Sequence, residues 1–213
     1  MKEQLQKDFD NIIKNLSLSQ RDTEIKQFYL DNFINKGFPN RRDENWKFSD
    51  LNQIIKKNIG ELSFYNDYTS TNKVDTSVFV DGLEHNKIVF INGRIEKIDF
   101  NYEKKDQIEI IDKSENINKF NNNNSLSDLN NAFTNKSFKI VLKNSYQLQK
   151  PLIIYHTTNS KIWSKNINLR LDFELEKDST LRLIDLFNDT SEKNFLNIFY
   201  NFNLKENAVL KNF

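Results

Sequence analysis

His85 and His156 are the two histidines of this 213-residue chain, and it contains no cysteine. Those counts bound its chemistry. A metal site of the usual imidazole or thiolate type needs more such donors than these. Disulfides, thiolate nucleophiles and cysteine-held clusters are excluded outright. His156 follows Ile153-Ile154-Tyr155 in a run that reads as a strand, where a hydrogen-bonded histidine is a simpler reading than a ligand or a base. Asp172, Glu174 and Glu176 alternate, so one strand face would project all three. A carbohydrate-active enzyme on a β-solenoid uses such a surface. Arg170, Lys177 and Arg182 beside them favour a charge-paired, solvated face instead. Four glycines leave no Walker loop or dinucleotide fingerprint. No nucleophile–base pair stands out. The reading therefore assigns no catalytic, cofactor-binding or metal residue, and expects neither enzymatic activity nor a cofactor.

Composition narrows the partners. Lys and Arg total 31 against 30 Asp and Glu, for a net charge of +1. That balance gives no electrostatic case for nucleic acid or an anionic membrane. Hydrophobic residues make up only 37%, yet 18 Phe, 7 Tyr and 2 Trp carry enough apolar area for a core. Abundant Asn, Lys, Ile and Phe suit the drift of an AT-rich genome, although Asn also tolerates left-handed turns. Met1-Lys2-Glu3-Gln4-Leu5 starts polar, with no signal-peptide core. The longest apolar stretch, Leu152–Tyr155, is far shorter than a membrane span. A soluble protein of the reducing cytoplasm is expected.

The elements that must position any site divide into three regions. Residues 1–60 form an N-terminal helical region, 61–130 a mixed strand and loop connection, and 131–213 the first coils of a β-helix core. Leu5, Phe9, Ile12, Ile13 and Leu16 fall at helical spacing. Ser19 is placed to cap a second helix, with Asp22 at its third position and Ile25, Phe28, Tyr29 and Phe33 on the buried face. Gly37 suits a left-handed cap and Pro39 stops continuation. Ser49 is read as the cap of a short helix carrying Leu51, Ile54 and Ile55. Trp46, Phe48 and Leu51 are expected to pack between the helical pair and the first strands, each worth about 1.5–3 kcal/mol when buried. Val78-Phe79-Val80 and Lys87–Ile91 read as strands, and Asn92-Gly93 as the turn of a hairpin with Arg94–Ile98. Asn121–Asn124 reads as a loop and Leu126–Phe133 as a short helix.

The last third carries a repeat. Leu142-Lys143-Asn144-Ser145-Tyr146-Gln147-Leu148, Leu175-Glu176-Lys177-Asp178-Ser179-Thr180-Leu181 and Leu204-Lys205-Glu206-Asn207-Ala208-Val209-Leu210 share one pattern. Each is a leucine, polar residues, a turn former, then a second leucine. The leading leucines are 33 and then 29 residues apart. Alternating strands joined by short polar turns at recurring spacing suggest coils of a β-solenoid, against the alternative of an antiparallel meander. All six leucines are then expected to point into one core in parallel register.

At Pro39, Arg41, Arg42, Glu44, Trp46, Lys47, Phe48, Ser49, Asp50 and Leu51 the chain resembles the SufD branch of the SufB/SufD family, scaffold components of the SUF iron–sulfur cluster assembly machinery. Asn40 stands where that signature has a small hydroxyl residue. Ile88-Val89-Phe90-Ile91-Asn92-Gly93-Arg94, Leu129-Asn130-Asn131-Ala132-Phe133 and Lys150-Pro151-Leu152-Ile153-Ile154-Tyr155-His156 follow in the family's order.

The resemblance spans the whole chain but about the first half of the family's length. It implies an α+β fold: an N-terminal helical domain followed by part of a right-handed parallel β-helix. It implies a non-catalytic scaffold in a complex with SufB and SufC, supporting cluster assembly and iron acquisition. The family's functional histidine and its SufB- and SufC-binding regions match nothing here, so no site residue is carried over. A truncated solenoid of this kind is expected to self-associate through its open last coil. The alternative is an unrelated β-solenoid that binds or processes carbohydrate.

Overall fold

The structure, a computed structural model, describes residues 2–61, 63, 64, 75, 77, 79–113, 119, 124–159, 162–189 and 193–213. It is a mixed α/β fold. Among the described residues it has four α-helices and two mixed sheets, and neither sheet closes into a barrel.

Helices α1 (Lys2–Lys14) and α2 (Gln20–Lys36) form where the apolar periodicity places them. The Ser19 hydroxyl caps α2 by accepting from the Asp22 N–H at 3.1 Å. Gly37 ends it with its N–H on the Phe33 carbonyl, at φ 73°. Its ψ of −170° is extended, so the cap is not the left-handed one expected. Leu5, Phe9, Ile12, Tyr29, Leu30 and Phe33 bury against Leu129, Ala132 and Phe133 of α4 (Ser125–Phe133).

The signature segment departs from expectation. A 3₁₀ turn over Glu44–Trp46 precedes α3 (Leu51–Asn58), whose cap is Asp50, accepting from the Gln53 N–H, and not Ser49. Leu51 is buried, Trp46 is half-buried, and Phe48 is 85% exposed. The tight turn carries Phe48 outward, where its ring meets the Lys47 ammonium at 5.1 Å. The expected burial of all three anchors therefore holds for Leu51 alone.

In the first sheet the short β1 (Ser63–Phe64) and β5 (Ser137–Leu142) pair with β7 (Lys165–Leu175), which also pairs with β9 (Phe195–Leu204); all three pairings are parallel. The sheet is completed by β4 (Ile108–Asp112), antiparallel to β5. The second sheet runs β3 (Arg94–Asp99), β2 (Asn86–Ile91), β6 (Leu152–Thr158), β8 (Thr180–Asp189), β10 (Val209–Asn212). Only the β2–β3 hairpin, turning at Asn92-Gly93, is antiparallel there. Phe79 and Val80 lie in no strand, and Val78 lies outside the described residues, as do Asn121–Asn123. The Val80 N–H is taken by the Tyr155 hydroxyl at 3.1 Å instead of by a neighbouring strand.

From β5 onward the chain alternates between the two sheets. Leu142, Leu175 and Leu204 fall in parallel register, as do Leu181 and Leu210. Leu142, Leu148, Leu175 and Leu181 bury in the core between the sheets, and Leu210 packs at its edge. Leu204 is 42% exposed, so the sixth leucine expected inside is not. At the turns, Ser145, Asp178 and Asn207 adopt φ of 59°, 57° and 56°. Each is a polar residue that tolerates the left-handed region better than a branched one. The turns stack: Ser145 N–H donates to the Lys177 carbonyl and Asp178 N–H to the Glu206 carbonyl.

Candidate functional site

The alternating carboxylates were the sequence's strongest catalytic candidates, and each meets a positive or amide partner. Arg170 holds Asp172 through Nε and a terminal nitrogen at 3.1–3.3 Å. Lys139 reaches Glu174 at 2.8 Å, and that hydrogen bond holds the Glu174 carboxyl below its ordinary range. Glu176 accepts from the Asn144 N–H at 2.9 Å and lies 3.9 Å from Lys143. Arg182 turns away to donate to the Leu148 and Gln149 carbonyls, and Lys177 pairs with Glu206.

His85 is not in a strand. It is buried, with Nδ1 2.6 Å from the Leu83 carbonyl and Nε2 2.7 Å from the Tyr155 hydroxyl. Burial pushes the Tyr155 phenol up, against the Val80 N–H, which favours the phenolate. Both ring nitrogens and the hydroxyl serve to hold the segment before β2.

A cleft of about 580 Å³ opens beside the signature segment, lined by Lys36, Pro39, Asp43, Glu44, Trp46 and Ser125 among others. Its polar groups are partly engaged: Lys36 pairs with Asp128 at 2.8 Å, and Asp43 accepts from the Asn40 N–H.

His156 lies in a different setting. It is buried on β6, in register with Phe90 of β2 and Phe187 of β8. Both rings stack on the imidazole, with centroids at 5.4 Å and 4.9 Å and interplanar angles of 11° and 19°. The flanking rings fix its plane and leave its edge to make contacts. At that edge Nε2 lies 2.9 Å from the Tyr200 hydroxyl of β9 and 3.4 Å from Asp185 Oδ1 of β8. The Tyr200 hydroxyl donates to the same Asp185 oxygen in a short hydrogen bond. Burial first, then the Asp185 charge and hydrogen bond, hold the Tyr200 phenol far above its ordinary value. Three titratable side chains from three strands thus converge between the two sheets.

Sequence reasoning named His156 and missed its partners. A signal for Asp185 did exist. Leu181 and Leu183 face the core, so strand alternation puts Asp185 and Phe187 on that same face. The register column Ile88–Ile154–Asp185 continues two buried isoleucines with a carboxylate. Nothing in the sequence says that Tyr200 stands opposite, because that depends on how the two sheets meet.

Among the described residues no helix is long and apolar enough to cross a membrane. A scan of protein-family models and a search of curated proteins return no match to the chain.

Proposed function

We propose that the chain is a non-catalytic scaffold subunit of SufD type, or the N-terminal half of one, working in the cytoplasm with SufB and SufC in iron–sulfur cluster assembly and iron acquisition. The observation that carries this reading is the parallel, in-register stacking of Leu142, Leu175 and Leu204 on β5, β7 and β9, with β6, β8 and β10 stacked likewise in the other sheet. Strands that alternate between two sheets and pair with the next strand but one are the arrangement expected of successive right-handed β-helix coils. Helices α1–α3 precede those strands, the order the motif resemblance implies. The alternative, a carbohydrate-processing solenoid, has less support because Asp172, Glu174 and Glu176 all serve ion pairs or a backbone N–H.

Affinity purification of the tagged gene product from its source cell tests the reading. SufB and SufC are expected to co-purify in fixed ratio. Recovery of neither with a folded, tagged product refutes it.

A further inference from the structure

We propose that the cleft beside the signature segment binds the guanidinium of an arginine side chain presented by a partner protein. The inference is independent of the scaffold reading and rests on the chemistry of the cleft's walls.

The chain has two tryptophans, and they stand in different settings. Trp163 is 56% exposed, and the Lys193 ammonium already lies 5.0 Å from its ring. Trp46 is half-buried, and no cation among the described residues stands over it. It lines a cleft of about 580 Å³. That is the size of a small-ligand site and ample for one arginine side chain.

The 3₁₀ turn that places Trp46 also sets charge beside it. Asp43 precedes the turn, Glu44 opens it, and both line the same cleft. One Asp43 oxygen accepts from the Asn40 N–H at 2.8 Å, which orients the carboxylate and leaves its charge in place. The Glu44 side chain is 91% exposed, and its ion pair with Lys47 is stretched to 4.0 Å. Lys36 is the cation in the lining, and Asp128 neutralises it at 2.8 Å. The other Asp128 oxygen is buried without a hydrogen-bond partner among the described residues. The walls therefore combine an aromatic ring with a net negative charge.

Those walls select the ligand. A ring face beside carboxylates attracts cations and repels anions. A guanidinium suits it better than an ammonium. It is flat enough to stack on an indole, it is weakly hydrated, and its fork of donors meets a carboxylate through two parallel hydrogen bonds. An arginine within a peptide chain brings no carboxylate of its own. The free amino acid would carry one towards Asp43 and Glu44. A partner's side chain is thus the better-matched source.

Proton–nitrogen NMR tests the site, because two tryptophans give two indole N–H signals, which Trp46→Phe or Trp163→Phe assigns. The folded chain is titrated with an acetylated and amidated glycine–arginine–glycine peptide. The Trp46 signal is expected to shift saturably while the Trp163 signal stays in place. The same peptide with citrulline, which keeps the shape and loses the charge, should bind about tenfold more weakly. Free L-arginine should bind about threefold more weakly. Asp43→Asn combined with Glu44→Gln should weaken peptide binding by about threefold or more. If that double variant fails to fold, Glu44→Gln alone decides on the same criterion, because its side chain is exposed. Absence of a saturable Trp46 shift overturns the proposal, as does equal binding of the citrulline peptide or undiminished binding in the carboxylate variant. Equal or tighter binding of free L-arginine overturns the assignment to a partner protein.

Discussion

Lys26 Nζ, on α2, donates to the Thr134 carbonyl at 2.6 Å, across 108 residues of chain. The same ammonium reaches the Asn131 carbonyl at 3.1 Å, so a buried lysine closes the C-terminal end of α4. Those carbonyls are the acceptors a helix end leaves without intrahelical partners. That side chain ties the helical pair to α4, and α4 packs on the strands.

Burial pushes the Lys26 amine down from 10.5 to about 7, with Asp22 opposing the shift and Arg170 adding to it. The folded state therefore binds fewer protons than the unfolded state between those values. Stability should rise as pH increases from about 7 towards 10.5. Lys26→Met should remove that slope and cost about 1–3 kcal/mol near neutral pH by leaving buried carbonyls unmet. Urea midpoints of both proteins across the range check it, and a slope retained in Lys26→Met counts against the assignment.

Glu103 titrates in the opposite part of the scale. Burial would raise its carboxyl, but hydrogen bonds from Tyr146, Asn86 and the Lys150 and Gln149 N–H groups outweigh it and hold the value below 4.5. Its stabilisation is thus fully present above 4.5 and is lost as pH falls through the lower folded value. Glu103→Gln should blunt the acid loss and weaken the Gln149–Lys150 corner. Acid titrations followed by tryptophan fluorescence, wild type beside variant, give the comparison.

What the sequence made legible was local. The Ser19 cap, the Asn92-Gly93 hairpin and the polar turn residues Ser145, Asp178 and Asn207 each depend on a few neighbouring side chains, and each is where pattern placed it. Phe48 was not legible, because an aromatic residue interleaved with charged ones beside Leu51 reads as a core anchor until a 3₁₀ turn is seen to carry it outward. Val80 followed a β-branched pattern but gave its N–H to a side chain from 75 residues away. The His156–Asp185–Tyr200 contact needs the register of three strands and the meeting of two sheets, and composition carries neither.

Phe48 and Leu51, three residues apart, should respond differently to truncation. Leu51→Ala removes a buried side chain and should cost about 2–4 kcal/mol. Phe48→Ala alters an exposed ring and should stay within about 0.5 kcal/mol. Paired urea unfolding curves measure both. An equal loss from the two would mean that Phe48 packs against the rest of the chain, whereas the small effect expected fits an exposed ring free to meet a partner.

Asn130 carries the last prediction, on how the helical layer is fastened to the strands. Its side chain is fully buried on α4 and donates to the Leu169 carbonyl of β7 at 3.1 Å and the Asn197 carbonyl of β9 at 2.6 Å. Thr134 Oγ1 donates to its amide oxygen at 2.9 Å. In return the Asn197 amide donates to the Leu126 carbonyl of α4 and to Asn168 on β7, its register neighbour. The two asparagines therefore clamp one helix to two parallel strands from both directions. Asn130→Ala strips donors from buried acceptors and should cost about 1–3 kcal/mol. Asn197→Ala should cost a similar amount, and the double variant less than the sum, because the residues share one network. A double-mutant cycle in urea measures the coupling. Strict additivity would show that the two amides fasten the layers independently, with no joint term across the clamp.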